Sequence, residues 1–241
     1  MRTKRKKYLF RFTVFLAVVS AVGITVLTMA ILDYRNHAAG SQQERVYLIE
    51  RRASIPIPDV TDDALQDALN FHFQMREINP DFVAWITIEG TNIDYPVVRG
   101  RDNIRYLNTS FLGEENRFGT LFMDYRNVGA FIPHIIIYGH NTQDGSKFSE
   151  LLLLLDDNFM RENNTIILWL NGRALPFTIF SARVTDIHDP AYFLDFNEPN
   201  AFYDFLLRNN APPDARQIIT LSTCVDGAVN NVRMVVQGVL W

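Results

Sequence analysis

A chain of 241 residues, 48% apolar and 21% charged, has room for one folded domain with an appendage and is too apolar to stay disordered. Its formal net charge of -4 hides a split. Arg2, Lys4, Arg5, Lys6, Lys7 and Arg11 fill the first eleven residues with no acid among them, leaving 17 basic against 27 acidic residues elsewhere. An acidic body with one short basic tip argues against nucleic-acid binding, which needs a basic face on the folded part, and directs the tip toward a membrane.

Thr13 to Leu32 follows directly, twenty residues without a charge. As a helix rising about 1.5 Å per residue it spans roughly 30 Å, the thickness of a bilayer's hydrocarbon core. A cleaved signal peptide has a shorter apolar core, about 7–15 residues, and a small-residue cleavage site, which Asp33-Tyr34-Arg35-Asn36 does not offer. Residues 13–32 are therefore read as an uncleaved single-pass anchor in the cell membrane. The basic tip (1–12) is kept in the cytoplasm and everything beyond Leu32 is exported. A buried core helix is the competing reading, opposed by the six cations in front of it.

Residues 33–60 are mixed and polar, ending near Ile55-Pro56-Ile57-Pro58, and read as a stalk. Thr61 is positioned to cap a helix whose first turn holds Asp62 and Asp63, where the helix dipole favours acids. Leu65, Leu69 and Phe73 recur at helical spacing, and Asn79-Pro80 predicts the stop.

From Phe82 the pattern changes to short runs rich in β-branched and aromatic residues. Strands are predicted at 82–88, 92–98, 119–125, 134–138, 165–170, 174–184, 217–223 and 232–240. Asn171-Gly172-Arg173 joins two of them with a hairpin signal. Helical patterns interrupt at 146–155 and 197–209. Many short strands with few helices predict a closed or nearly closed barrel.

Metal chemistry finds no support, because one cysteine and five scattered histidines (37, 72, 134, 140, 188) show no paired-ligand spacing. No glycine-rich phosphate loop appears, and no cofactor is expected. Cys224 is the only cysteine, so no internal disulfide forms. On the oxidising side of a membrane such a thiol is either buried as a small hydrophobe or used.

Cys224 closes the run IITLSTC before a Val225-Asp226-Gly227 turn signal, and alternation puts Thr220, Ser222 and Cys224 on one strand face. Nucleophilic catalysis there requires a proton partner and something to hold an oxyanion. His140 ends HIIIYGHN, where a buried strand delivers it to a rim and Gly139 permits an unusual backbone turn. It is favoured modestly over His188, which lies in the polar loop DIHDP. His134 opens an apolar strand and reads as a satisfied edge histidine. Arg233 opens the last strand; a hairpin from Cys224 returns it to the same rim, where its directed donors suit an oxyanion. A plain surface arginine is the alternative.

TLSTC (220–224), YGHN (138–141) and the arginine of NNVRMVV together resemble the cysteine, histidine and arginine motifs of sortases. NPDFVAWITIEGTNIDYPVV (79–98), GTLFMDYRN (119–127) and GHNTQDGSKF (139–148) resemble class B sortases in particular. The resemblance covers roughly residues 60–241. It implies a mainly β fold: a closed eight-stranded sortase-type barrel with a few short helices, the catalytic domain being 61–241, preceded by the N-terminal helix and anchor.

It further implies that Cys224 attacks a threonine carbonyl within a C-terminal sorting motif of a secreted protein and forms a thioester. His140 protonates the leaving amine and Arg233 steadies the oxyanion. An amine of peptidoglycan or of a pilin then takes the acyl group. Asp94, Val98, Tyr138, Tyr192 and Ser222 are implied to line the substrate groove. Two departures from the family pattern, the apolar run at 151–155 and Val225 after the cysteine, leave the catalytic groups in place. The competing functions are a hydrolytic cysteine peptidase on a membrane anchor and a non-catalytic wall-binding module.

Overall fold

The computed structural model describes residues 2–53, 62–129, 132–225 and 231–241, with side chains except at 2–6, 9 and 62–65. The expected cap Thr61, the Ile55-Pro56-Ile57-Pro58 stretch and the loop residues 226–230 after Cys224 lie outside the described residues. The chain divides into two compact units, Met1–Gly40 and Ser41–Trp241.

A single long helix, α1 (Arg2–Ala53), provides the first unit and enters the second. It contains one stretch long and apolar enough to cross a membrane, with Phe12, Phe15, Val18, Val19 and Val22 all exposed. The segment read as a stalk is thus helical as far as Ala53. Its last turns are part of the second unit. Leu48 is buried with Trp85 and Phe111, the Glu44 carboxylate accepts the Leu112 N–H at 2.9 Å, and Arg45 donates to the Asn92 carbonyl at 2.8 Å.

Helix α2 (Asp62–Ile78) buries Phe71 and Met75 against Phe82 and Trp85. It stops where Pro80 disfavours helical backbone at Asn79. The Asn79 side chain then accepts the Asp81 N–H at 2.9 Å and turns the chain into the first strand.

Eight strands form a closed barrel: β1 (Phe82–Ile88), β2 (Asp94–Val98), β3 (Leu121–Met123), β4 (His134–Tyr138), β5 (Thr165–Leu170), β6 (Arg173–Asp186), β7 (Gln217–Cys224) and β8 (Val232–Leu240). Around the barrel the order is β1-β2-β3-β4-β7-β8-β6-β5, and β5 pairs with β1 to close it. Pairs β2–β3 and β4–β7 are parallel and the rest antiparallel. Closure removes the unpaired edges that an open sheet of this size would expose. The β5–β6 hairpin turns on Asn171 and Gly172, both at positive φ (51° and 75°), as a two-residue primed turn requires.

Alternation sorts the side chains. Ile135 and Ile137 of β4, Ile219 and Leu221 of β7, and Met234 and Val236 of β8 fill the barrel interior. The intervening residues face outward, among them Tyr138, Ser222, Cys224 and Arg233. Outside the barrel, α4 (Ala201–Arg208) packs Phe205 and Leu206 onto Ile218 and Val239.

The helix expected over 146–155 is instead a 3-10 helix, Ser149–Leu155. Leu151 and Leu154 are buried three residues apart, which matches a three-residue turn, while Leu153 and Leu155 are exposed. A short helix absent from the sequence reading, α3 (Asp157–Glu162), follows. Its cap is the Asp156 carboxylate, which accepts the Asn158 and Phe159 N–H groups at 2.9 Å each.

Candidate active site

The strand pairings bring three chain segments to one end of the barrel. Because β4 and β7 are parallel, with Tyr138 opposite Ser222, the residues after both strands emerge together. Because β8 runs antiparallel to β7, its first residues return to that end, and Arg233 stands directly opposite Cys224. An outward-facing cleft of about 400 Å³ opens there, lined by Cys224, His140, Arg233, Tyr138, Tyr192 and Ser222 among others. Cys224 is partly exposed, not a core thiol.

His140 is held from both sides. Its carbonyl accepts the Phe148 N–H at 3.0 Å, and the Gly139 N–H donates to the Ser222 carbonyl at 3.1 Å. The neighbouring Asn141 amide donates to the Val225 carbonyl at 2.9 Å, tying the histidine loop to the residue after Cys224. On the ring, Nε2 lies 2.8 Å from the Leu107 carbonyl. A carbonyl only accepts, so Nε2 carries the hydrogen and Nδ1 is the nitrogen left to take or release a proton.

The glycine before it is needed for room rather than for an unusual turn. A Cβ on Gly139 would lie 2.3 Å from Leu121 Cδ2 and 2.8 Å from Phe148 Cδ2, both on fully buried side chains, and no positive φ occurs there.

The other histidines differ. His134 opens β4 on the outer face of the barrel, as a satisfied histidine fully buried against Phe205. Nδ1 donates to the Phe193 carbonyl at 2.8 Å and Nε2 accepts from the Thr220 hydroxyl at 2.7 Å. Burial pushes its pKa down to about 4, so it is a neutral structural group. His188 is exposed, and its backbone N–H donates to Asp186 at 2.7 Å. His72 packs on Phe82, and His37 faces Asp33 along α1 at 3.4 Å.

The cleft walls are built from ordered aromatic groups. Tyr192 ends the 3-10 turn Pro190–Tyr192, started by Asp189, whose carboxylate accepts the Ala191 N–H at 2.8 Å and pairs with Arg183 at 2.6 Å. The Tyr192 hydroxyl shares a 2.7 Å hydrogen bond with Ser222, and burial raises its pKa, keeping it a neutral phenol. The Tyr138 ring lies parallel to it within 4°, with centroids 6.5 Å apart, and the Tyr138 hydroxyl donates to Asp124 at 3.0 Å. Burial, then the adjacent Asp124 carboxylate, drives the Tyr138 phenol far above its usual range.

Asp94 and Val98 are not in the cleft wall. Asp94 accepts from the Trp85 indole at 2.5 Å and faces Arg52 at 3.6 Å. Val98 is fully buried among Trp85, Phe111 and Phe122. Conversely, Asn103, Leu107 and Ile187 line the cleft and carried no signal in the sequence reading. Among the described residues no cluster of three or more His, Cys, Asp or Glu side chains is arranged to hold a metal ion.

Comparison with known proteins agrees with this arrangement. The sortase-domain family model matches residues 86–241. The chain is 34% identical over 177 residues to sortase B of Listeria monocytogenes, covering 69% of this chain and 72% of that protein. Against sortase B of Staphylococcus aureus the values are 31% over 172 residues, 67% and 70%. Among solved structures, sortase B from Bacillus anthracis superposes with a TM-score of 0.70 at 26% identity, covering 87% of this chain and 98% of that one. Listeria sortase B gives 0.62 at 34% identity, with coverages of 70% and 99%.

Proposed function

The chain belongs to the sortase family of cysteine transpeptidases, within class B, and from that membership we propose that Cys224, His140 and Arg233 carry out a two-step acyl transfer in the cleft. The observation that supports the assignment is the register of β7 against β8, with Arg233 opposite Cys224 and His140 on the same cleft.

In the first step the Cys224 thiol passes its proton to His140 Nδ1, and its sulfur adds to the carbonyl of a threonine in a C-terminal sorting motif of a secreted protein. The negative charge that develops on the carbonyl oxygen is met by the Arg233 guanidinium, since Arg233 pairs across the strands with Cys224 and lines the same cleft. As the C–N bond breaks, His140 gives the proton held at Nδ1 to the leaving amine, and a thioester remains on Cys224. In the second step an amine of peptidoglycan or of a pilin attacks the thioester carbonyl. It surrenders a proton to Nδ1, and collapse of the adduct restores the thiolate. Tyr138, Tyr192 and Ser222 offer the motif a wall of aromatic faces and hydroxyls. The apolar stretch of α1 anchors the enzyme in the cell membrane, with the basic tip in the cytoplasm and the catalytic unit outside.

The deciding experiment uses the full-length protein, a panel of fluorescence-quenched sorting-motif peptides and a small amine acceptor. Wild type should cleave at a threonine, join the acceptor and show a peptide-sized acyl adduct by intact mass. Cys224→Ala should lose both product and adduct while keeping its melting temperature, since removing one sulfur at a partly exposed position leaves little cavity. Appreciable turnover by Cys224→Ala would eliminate the thioester route.

A further inference from the structure

Asp124 follows β3, has no exposed surface, and lies behind the cleft wall. Its two carboxylate oxygens are surrounded by donors. Oδ1 accepts from the Arg126 backbone N–H at 3.0 Å and from Arg126 Nε at 2.8 Å. Oδ2 accepts from Arg126 Nη2 at 2.8 Å, from the Asn103 amide at 2.9 Å and from the Tyr138 hydroxyl at 3.0 Å.

The last two donors come from different parts of the chain. Asn103 belongs to the connection between β2 and β3, and Tyr138 ends β4, yet both line the catalytic cleft. Asn103 is itself held by the Tyr125 N–H, which donates to its Oδ1 at 3.0 Å. Burial alone would raise the Asp124 carboxyl, but the Arg126, Asn103 and Tyr138 donors outweigh it and hold it below the usual carboxylate range. The Arg126 and Asn103 N–H groups can only donate, so this pocket favours the anion.

We propose that Asp124 is a positioning residue for the sorting-motif peptide: one carboxylate oxygen fixes the spacing between the Asn103 and Tyr138 walls and so presets the cleft for the incoming chain. The proposal rests on the reading of this cleft as the peptide site. A preset wall lowers the ordering cost of binding, and loosening it weakens ground state and transition state alike. That signature is a raised KM with kcat retained, which a general loss of catalytic geometry does not give. Asp124 acts through its neighbours and touches no reacting atom.

The test is steady-state kinetics of the full-length protein on the quenched peptide that wild type cleaves fastest, at a fixed acceptor amine concentration. Asp124→Asn should raise the peptide KM about tenfold, with kcat within about threefold of wild type. Because that substitution leaves Arg126 beside a neutral amide, folding is followed by thermal melting, and a second set of variants preserves the ion pair. Asn103→Ala and Tyr138→Phe should each raise KM several-fold. The double variant should fall short of the product of the two, since both act through one carboxylate.

Unchanged KM values in the single variants would overturn the proposal, as would losses confined to kcat. Fully multiplicative effects of the Asn103 and Tyr138 substitutions would overturn it too. Wild type that cleaves no peptide would overturn the acyl-transfer reading and this proposal with it, whereas normal wild-type cleavage with unmoved variants overturns the proposal alone.

Discussion

His134 opens β4 and His140 lies two residues beyond its end, and they meet different surroundings. Both nitrogens of His134 are spoken for on the buried outer face of the barrel, and burial keeps that ring neutral down to about pH 4. His140 is bonded at one nitrogen and opens onto the cleft with Cys224. Arg233 raises a sharper question, because an arginine serves either as a positive field or as a set of directed donors. Its Nη1 already donates to the Val232 carbonyl at 3.0 Å, which restrains the planar group at the cleft it shares with Cys224. If directed donation matters, Arg233→Lys fails nearly as badly as Arg233→Ala, because a compact ammonium does not reproduce the fork. The expected loss is about 10²–10³ in kcat, the usual range for one oxyanion donor. Rates of both variants on one peptide decide it: a Lys variant within a few-fold of wild type would leave only the field, and an active Ala variant would take Arg233 out of the chemistry.

At the scale of elements, the site depends on how closely β4 approaches its neighbours at its last residue. Gly139 leaves the strand where Leu121 and Phe148 leave no space for a methyl group. Gly139→Ala should therefore overpack this junction, costing about 1–3 kcal/mol and lowering the melting temperature by several degrees. Activity should fall further than stability alone explains, because the displaced segment carries His140 and is pinned to Val225 through Asn141. A melting curve and kcat for the variant check this, and wild-type values of both would show that the junction gives way freely. The 3-10 helix Ser149–Leu155 follows the same logic. Its leucines were legible as apolar but not as three-residue turns, since the helical periods differ too little over one short run.

At the scale of the molecule, Cys224 as the only cysteine makes membrane orientation directly measurable. A membrane-impermeant maleimide applied to intact protoplasts should label the wild-type protein without lysis. In a Cys224→Ala background, Lys7→Cys should stay unlabelled until the membrane is opened. The positive-inside rule sets this expectation, since six cations precede the apolar stretch. Labelling of Lys7→Cys on intact cells would reverse the proposed topology.

Local chemistry written along the chain was enough to identify the anchor-like helix, the approximate positions of all eight strands, the Asn171-Gly172 hairpin and the class B resemblance. Each rests on composition or periodicity within a few residues, or on short motifs such as TLSTC and YGHN. The pairing of Cys224 with Arg233 was also within reach, because consecutive strands joined by a short loop commonly form a hairpin. The parallel pairing of β4 with β7, which carries His140 to the same rim, was decided only by the closed barrel. Its partners lie more than eighty residues apart, and their side-chain alternation is equally compatible with other neighbours. The same holds for Asn103 and Asp124, polar residues whose partners come from separate loops, and for Asp94 and Val98, which the barrel turns toward Arg52 and the Trp85 cluster. Sequence specifies which residues prefer strand, helix or turn. Closure of the barrel, by satisfying every strand edge at once, determines which of them meet.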